Sequence, residues 1–454
     1  MKKYIKLFGG ILLLFTVFVF VPKAKAEGES VPSGSPITDL DFYKCVLVNT
    51  NHDNDYSHIF TDEELASITT IHCDYNPKTY SSFKLDIKNT TGLEKMTNLE
   101  ELYLDYSSYN LTSINTRNNK KLKKLSVSYS KLSSLDLSKN IELESLGFID
   151  VPLSSLDLSH NTKLNDIQGG GSNIKSLDLS HNKLVEILNI QNAKLTTLDV
   201  SSLVNLRVLA VSDNNISNID ISHNTNLENF QAYNTGLSNV DLSHNENLYE
   251  ILLYDNPNLK KLDISHNSHL QRIWVNNTGL TGLNTANNSE LSDLQIANTK
   301  ITSLDLSNNS NLNNLNISGI SSANIKLPES TDSLTYFKLD SMTVIDARRF
   351  YNKDISVERN GVPIVSSSKL ATGDVIKINN SSNTVVVNGD TSKDGEIGMD
   401  DVLQVYNHQR NSIDSDKPLI TDNSASQAAN YNSDDTVDMK DVLQIYEKQK
   451  ENLE

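Results

Sequence analysis

Asp390, Ser392, Asp394, Glu396 and Asp401 stand at positions 1, 3, 5, 7 and 12 of one stretch, with Gly395 at position 6 and Ile397 at position 8. Spacing of this kind lets a short loop close around a hard cation, which takes six to eight oxygen ligands. In such a loop Glu396 offers its backbone carbonyl, Asp401 both carboxylate oxygens, and the glycine permits the sharp bend. Forty residues later the pattern returns as Asn430, Asn432, Asp434, Thr436 and Asp441. Two bound Ca2+ ions are the expectation. The second loop is expected to be weaker, because Asn430 removes a charge and Asp435 replaces the glycine where a left-handed backbone is costly. Each loop runs into a matching short helical segment, Asp401 to Tyr406 and Asp441 to Tyr446.

Two further columns could do chemistry. His160, His181, His223, His244 and His266 each follow a serine, Ser159, Ser180, Ser222, Ser243 or Ser265, and lie three residues after an aspartate. Asp, Ser and His side by side suggest a catalytic triad, and stacked histidines suggest a metal. A catalytic constellation, however, is a single site with distinct environments, whereas a motif copied five times reads as a duplicated scaffold turn. A row of side chains about 4.8 Å apart does not converge on one ion either. No catalytic residue is assigned. The sequence leaves open what offsets the repulsion along the aspartate column.

What positions these groups is a repeat. The aspartate of Leu-Asp-Leu-Ser and its variants falls at Asp136, Asp157, Asp178, Asp199, Asp220, Asp241, Asp263 and Asp305, with Asn115 and Asn284 in the same register. The step is 21 residues, once 22. Each unit carries two apolar triplets, as in Leu206, Leu209 and Val211 followed by Ile216, Ile219 and Ile221. No unit of this size buries its own apolar edge, so the units must stack into a continuous core. A Leu-x-x-Leu-x-Leu triplet demands a short strand, which gives a curved rod with a parallel sheet along one side. Either half of the unit could form that sheet. We assign it to the Leu206-type half, where variation between repeats is concentrated.

These units resemble the leucine-rich repeats of the bacterial internalin-like class. The similarity covers roughly residues 64 to 320, with a flanking cap over Phe60 to Ile68 and a first repeat from Leu93 to Leu104. It departs in one respect. The Asn expected at the end of the concave strand is present at Asn214 and Asn256 but is Val151, Ala193, Thr235 or Thr278 elsewhere, while the other half keeps Asn140, Asn161, Asn182, Asn224, Asn245, Asn267 and Asn309. Outward positions of adjacent registers bring together Tyr233, Tyr249, Glu250, Leu252, Tyr254, Arg272 and Trp274. An exposed aromatic and aliphatic cluster rimmed by charge reads as a binding patch for a protein or glycan.

The tail, with Asp at position 12, one helix per loop and a tandem pair, resembles a dockerin domain. That resemblance implies calcium-driven folding and docking to a cohesin domain on a cell-surface or cellulosome-type scaffold protein. Partner choice would then rest on Met399, Asp400, Tyr406, Asn407 and His408 in one half and on Met439, Lys440, Tyr446, Glu447 and Lys448 in the other. The two methionines depart from the Ser-Thr usual in the best-known type, and Asp400 against Lys440 makes the two faces electrically unlike.

Composition bounds the rest. A net charge of −17 over 454 residues argues against a nucleic-acid partner, because phosphate contacts need clustered Lys and Arg. Lys2, Lys3 and Lys6, an apolar run from Ile11 to Val21 and Ala24-Lys25-Ala26 read as a secretory signal, too short for a comfortable span. Its removal takes five lysines and no acid and leaves −22. Cys45 and Cys73 could pair in an oxidising compartment. The inward spacing of Cys73 favours buried free thiols instead.

The expected architecture is therefore a leucine-rich-repeat solenoid with a parallel β-sheet, then a small all-β module and a small α-helical calcium-binding dockerin-like domain. Its parts are a signal peptide (1–26), a linker (27–36), an N-terminal cap and first repeat (37–98), 21-residue leucine-rich repeats (99–320), the β module (321–386) and the dockerin-like domain (387–454). In the β module Pro363 points to an edge strand. The expected function is that of a secreted, non-enzymatic binding protein with no membrane span after signal cleavage. Two alternatives are a scaffold-borne hydrolytic enzyme and a free adhesin with a structural calcium tail.

Overall fold

The computed structural model describes residues 30–53, 55–74 and 85–317, together with the strand segments 324–326, 336–339, 356–359, 362–363, 375–378 and 381–387. The secretory segment, both calcium loops (Asp390 to Asp401 and Asn430 to Asp441) and the ten candidate cohesin-contacting residues lie outside the described residues.

A cap opens the chain. Helix α1 (Leu40–Asn49) starts at Asp39, whose carboxylate accepts the amides of Asp41 and Phe42, both at 3.0 Å. The other oxygen of that carboxylate takes the amides of Lys88 and Asn89, which ties the helix start to the chain entering the first repeat. Helix α2 (Asp62–Ser67) carries a capping box between Thr61 and Glu64. Cys45 in α1 and Cys73 just after the first strand form a disulfide, with Cα atoms 5.4 Å apart. This corrects the expectation of free thiols. Cys73 does point inward, as its spacing requires, but what it meets there is α1, laid over the open end of the sheet. Position in the repeat cannot show what an adjoining helix brings. Closing 28 residues of chain contributes about 3.5 kcal/mol on the loop-entropy account.

From β1 (Thr70–His72) onward the chain winds. The sheet continues through β2 (Glu101–Tyr103), β3 (Lys124–Ser126), β4 (Ser145–Gly147), β5 (Asp166–Gln168), β6 (Ile187–Asn189) and β7 (Val208–Ala210). After these come β8 (Asn229–Gln231), β9 (Glu250–Leu252), β10 (Arg272–Trp274) and β11 (Asp293–Gln295). Every neighbouring pair is parallel and in register, so that Ile251 lies between Phe230 and Ile273. The sheet is thus built from the Leu206-type half, as assigned. At the far end β12 (Ser303–Asp305) pairs with β14 (Asn324–Lys326) on the other half of the turn, while β13 (Asn314–Asn316) and β15 (Tyr336–Leu339) extend the main sheet. Beyond it β16 (Ser356–Arg359), β17 (Val362–Pro363) and β18 (Val375–Ile378) pair antiparallel, and β19 (Ser381–Val387) runs antiparallel to β18 and parallel to β15.

One hydrophobic core runs along the coil. Leu206, Leu209, Val211 and their equivalents are fully buried, each covered by the same positions of the next turn. The backbone of the back turns is satisfied by a second ladder. Asn245 donates to the carbonyls of Ile221 and Asn224 at 3.0 and 2.9 Å, and Asn161, Asn182, Asn224, Asn267 and Asn309 repeat the pattern. Where Leu203 breaks the column, Ser202 donates to the carbonyl of Leu179 instead. These amides are wholly buried, which explains why this half keeps its asparagines.

The aspartate column has a local cause. Each carboxylate accepts the amide of the serine two residues on, for example Asp157 from Ser159 and Asp241 from Ser243, both at 2.9 Å. Asn115 and Asn284 do the same for Arg117 and Ala286. What the turn requires is therefore an acceptor oxygen, not a charge. These bonds hold the carboxyls of Asp157, Asp220 and Asp263 below the usual range, while neighbouring aspartates oppose the shift at Asp178, Asp199 and Asp263.

Candidate functional site

The open face of the sheet is formed by the first and third residues of each strand and by the residue two positions beyond it, because the residues between them point into the core. Six of the seven residues of the expected patch are gathered in one contiguous group there. Tyr233 and Tyr254 stack with ring centres 4.3 Å apart and planes 7° apart, and Trp274 continues the row at 6.3 Å from Tyr254. The Arg272 guanidinium lies over the indole at 5.7 Å. Leu252 lies beside Trp274 in the register of β9 and β10, and Glu250 beside Arg272. Tyr249, just ahead of β9, is half-buried next to Asn229.

Burial sets the electrostatics. It pushes the phenols of Tyr233 and Tyr254 upward, so both remain protonated donors at neutral pH. Tyr233 uses its hydroxyl on Gln191, at 2.8 Å. Glu250 departs from expectation. Alternation places it outward, yet it is 3% exposed, because Arg272 closes over it and Asn229 donates to its other oxygen at 2.5 Å. It is an anchor for Arg272 and not part of a charged rim. Arg272 also reaches Asp293 at 3.6 Å, so its guanidinium is shared between carboxylates of the two flanking strands. The surface is therefore a flat aromatic strip with a clamped cation at one end, a geometry suited to lying against another surface.

A second aromatic group went unnoticed in the sequence. Three residues beyond each strand the chain leaves the sheet through a left-handed residue: Asp150, Gly171, Asn192, Asp213, Asn234, Asp255, Asn277 and Asn298. Tyr106 and Tyr129 occupy the same position with φ of 57° and 63°, where a bulky side chain is unfavourable. Their rings stack at 4.6 Å, and Tyr106 is 47% exposed. Beside them a shallow depression is lined by Tyr103, Asp105, Ser126, Ser128, Gly147 and Gln168. Burial pushes the carboxyl of Asp105 up, against the hydrogen bonds it accepts from Ser126 and Ser128. The available signal was two tyrosines in a column otherwise filled by Asn, Asp and Gly.

Among the described residues, the His columns assemble neither a triad geometry nor a group of side chains close enough to share a metal. In all five registers the serine hydroxyl meets Nδ1 of the next histidine at 3.0 to 3.2 Å, while the aspartate is engaged by the serine amide. Among the described residues, the group of His, Cys, Asp or Glu side chains close enough to share a metal is His52, His58 and Glu64 in the cap, away from these columns.

Solved structures resemble this arrangement. An internalin, inlF, from Listeria monocytogenes str. 4b F2365 superposes with a TM-score of 0.60 at 20% identity, covering 70% of this chain and 96% of its own. The fold is that of a leucine-rich-repeat solenoid. The functional domain of InlJ from Listeria monocytogenes matches with a TM-score of 0.39 at 21% identity over 76% of this chain and 95% of its own. The leucine-rich-repeat protein LIC12759 of Leptospira interrogans gives 0.33 at 16% identity, over 52% and 81%. No family model and no curated protein matches the chain. Among the described residues of the solenoid and its cap, no helix is long and apolar enough to cross a membrane.

Proposed function

We propose that this is an exported, non-enzymatic binding protein whose solenoid recognises a protein partner through the aromatic strip of its sheet. The calcium loops of the tail dock it to a cohesin on a scaffold protein. The observation that carries the first part is the row Tyr233, Tyr254 and Trp274 with Arg272 over its end: apolar area of low rotamer entropy beside a fixed cation. Its placement on an open parallel sheet, in a fold like that of an internalin, supports a flat macromolecular partner over a small molecule. A glycan is the competing partner for the same strip.

The second part rests on the duplicated ligand pattern. Asp390, Ser392, Asp394, Glu396 and Asp401 would hold one Ca2+, and Asn430, Asn432, Asp434, Thr436 and Asp441 a second, weaker one. Bound calcium would offset the mutual repulsion of these carboxylates and order the segment that presents Met399, Asp400, Tyr406, Asn407 and His408 and their counterparts Met439, Lys440, Tyr446, Glu447 and Lys448 to the cohesin.

Calorimetric titration of the full chain with CaCl2 tests this, alongside Asp394→Asn and Asp434→Asn. We expect two binding events, with the tighter lost in Asp394→Asn, and cohesin capture that disappears in EDTA. No heat at millimolar CaCl2 would remove the docking function and leave the solenoid as a free binder.

A further inference from the structure

Between α1 and α2 the cap makes a short excursion that returns three ligand-bearing side chains to one place. The rings of His52 and His58 stack with centres 3.9 Å apart and planes 23° apart, and Phe60 closes edge-on against both. Nε2 of His58 is buried and makes no hydrogen bond among the described residues, although Oε1 of Glu64 lies 3.4 Å away. A buried imidazole nitrogen without a partner is costly unless something else satisfies it.

The surrounding contacts orient the three groups. The other oxygen of Glu64 is fixed by the amide of Thr61 at 2.7 Å, and Nδ1 of His52 meets the Thr50 hydroxyl at 3.2 Å. Such outer hydrogen bonds are what hold metal ligands in place. One ligating atom from each of the three lies within 4.8 Å of the others. Tetrahedral zinc with bonds of 2.0 to 2.1 Å needs its ligands about 3.4 Å apart, a distance the His58 and Glu64 atoms already have.

We propose that the N-terminal cap binds one Zn2+ through His52, His58 and Glu64, with a fourth position open to water. Two imidazoles and a carboxylate suit a borderline cation, whereas the hard calcium ion prefers oxygen alone. The site is thereby chemically separate from the loops at the C-terminal end. The ion satisfies the orphan nitrogen and fastens the loop between the helices to the first turn of α2. It adds a second cross-link to the cap beside the Cys45–Cys73 bond.

The test is a ZnCl2 titration of the full chain, stripped of metal and then held in saturating CaCl2, with calorimetry and thermal melting as readouts. Glu64→Gln keeps the capping box, since Gln serves there as well as Glu. His52→Gln removes a second ligand, and His244→Gln in the exposed column is the control. The expected result is a tight zinc event that weakens at least about tenfold in Glu64→Gln and in His52→Gln but not in His244→Gln. A zinc-dependent rise in melting temperature should be confined to the wild type and the control. Zinc binding that is absent from the wild type, or as tight in Glu64→Gln or His52→Gln as in the wild type, would overturn the proposal.

Discussion

Each 21-residue unit has two halves built on the same apolar spacing, and they differ in what their polar residues do. In the back half the polar side chains are spent on the chain itself: Asn245 and its equivalents serve carbonyls of the preceding turns, and the aspartates serve amides two residues on. Substitution there is permitted only where another group does the same task, as Ser202 does beside Leu203 and Asn115 does for an aspartate. In the front half Ser128, Ser212 and Asn276, two residues beyond their strands, each accept an amide of the next turn, while the outward positions on the strands themselves owe the backbone little and change from turn to turn. Uniformity in a repeat thus marks obligation to the fold, and variation marks freedom for something else.

The sharpest way to break this contrast is Arg272→Ala. Although Arg272 is half exposed on the variable face, it covers the buried Glu250, and removing it should cost about 3 kcal/mol in urea unfolding. Adding Glu250→Gln should recover most of that loss. Recovery would show that the cost comes from the stranded carboxylate, and its absence would move Arg272 itself into the scaffold. Next in size, Asn245→Ala strips donors from two buried carbonyls and should cost about 2 kcal/mol by the same measurement. Trp274→Ala should cost about 1 kcal/mol while weakening partner binding at least about tenfold, as read by calorimetry. A stability loss equal to that of Asn245→Ala would place the indole in the scaffold.

The smallest effect concerns pH. The column carboxyls have folded pKa values below their unfolded ones, so their contribution is complete above about pH 5 and fades as pH falls through the carboxylate range. Replacing Asp157, Asp220 and Asp241 together by Asn keeps the acceptor and removes the titration. The acid limb of the unfolding curve should flatten, with no measurable change at pH 7. A loss at pH 7 would show that the charge matters and not only the oxygen.

Much of this was legible in the sequence, for identifiable reasons. A period of 21 fixed which residues face inward, and the variable half was correctly read as the main sheet because the outward positions of its strands carry little backbone duty. The stacking of Tyr233 on Tyr254 followed from the same count, since parallel in-register strands convert a step of 21 or 22 into adjacency, and Trp274, in register with Leu252, meets Tyr254 on the diagonal. What escaped were pairings made across elements. Cys45 reaches Cys73 only because α1 covers the sheet end, and Glu250 is buried only because Arg272 on the next strand folds over it. The histidine pair of the cap depends on a loop whose path no periodicity describes.

Two tyrosines test the contrast without any knowledge of the partner. Tyr106 and Tyr129 occupy a left-handed position that eight other turns fill with Asn, Asp or Gly, and holding them there costs about 1 kcal/mol each. If the front half is shaped by recognition and not by stability, Tyr106→Asn should leave the urea midpoint unchanged or raise it, while Asn245→Ala, measured beside it, lowers it clearly. A fall in the midpoint of Tyr106→Asn as large as that of Asn245→Ala would contradict the division of labour between the two halves.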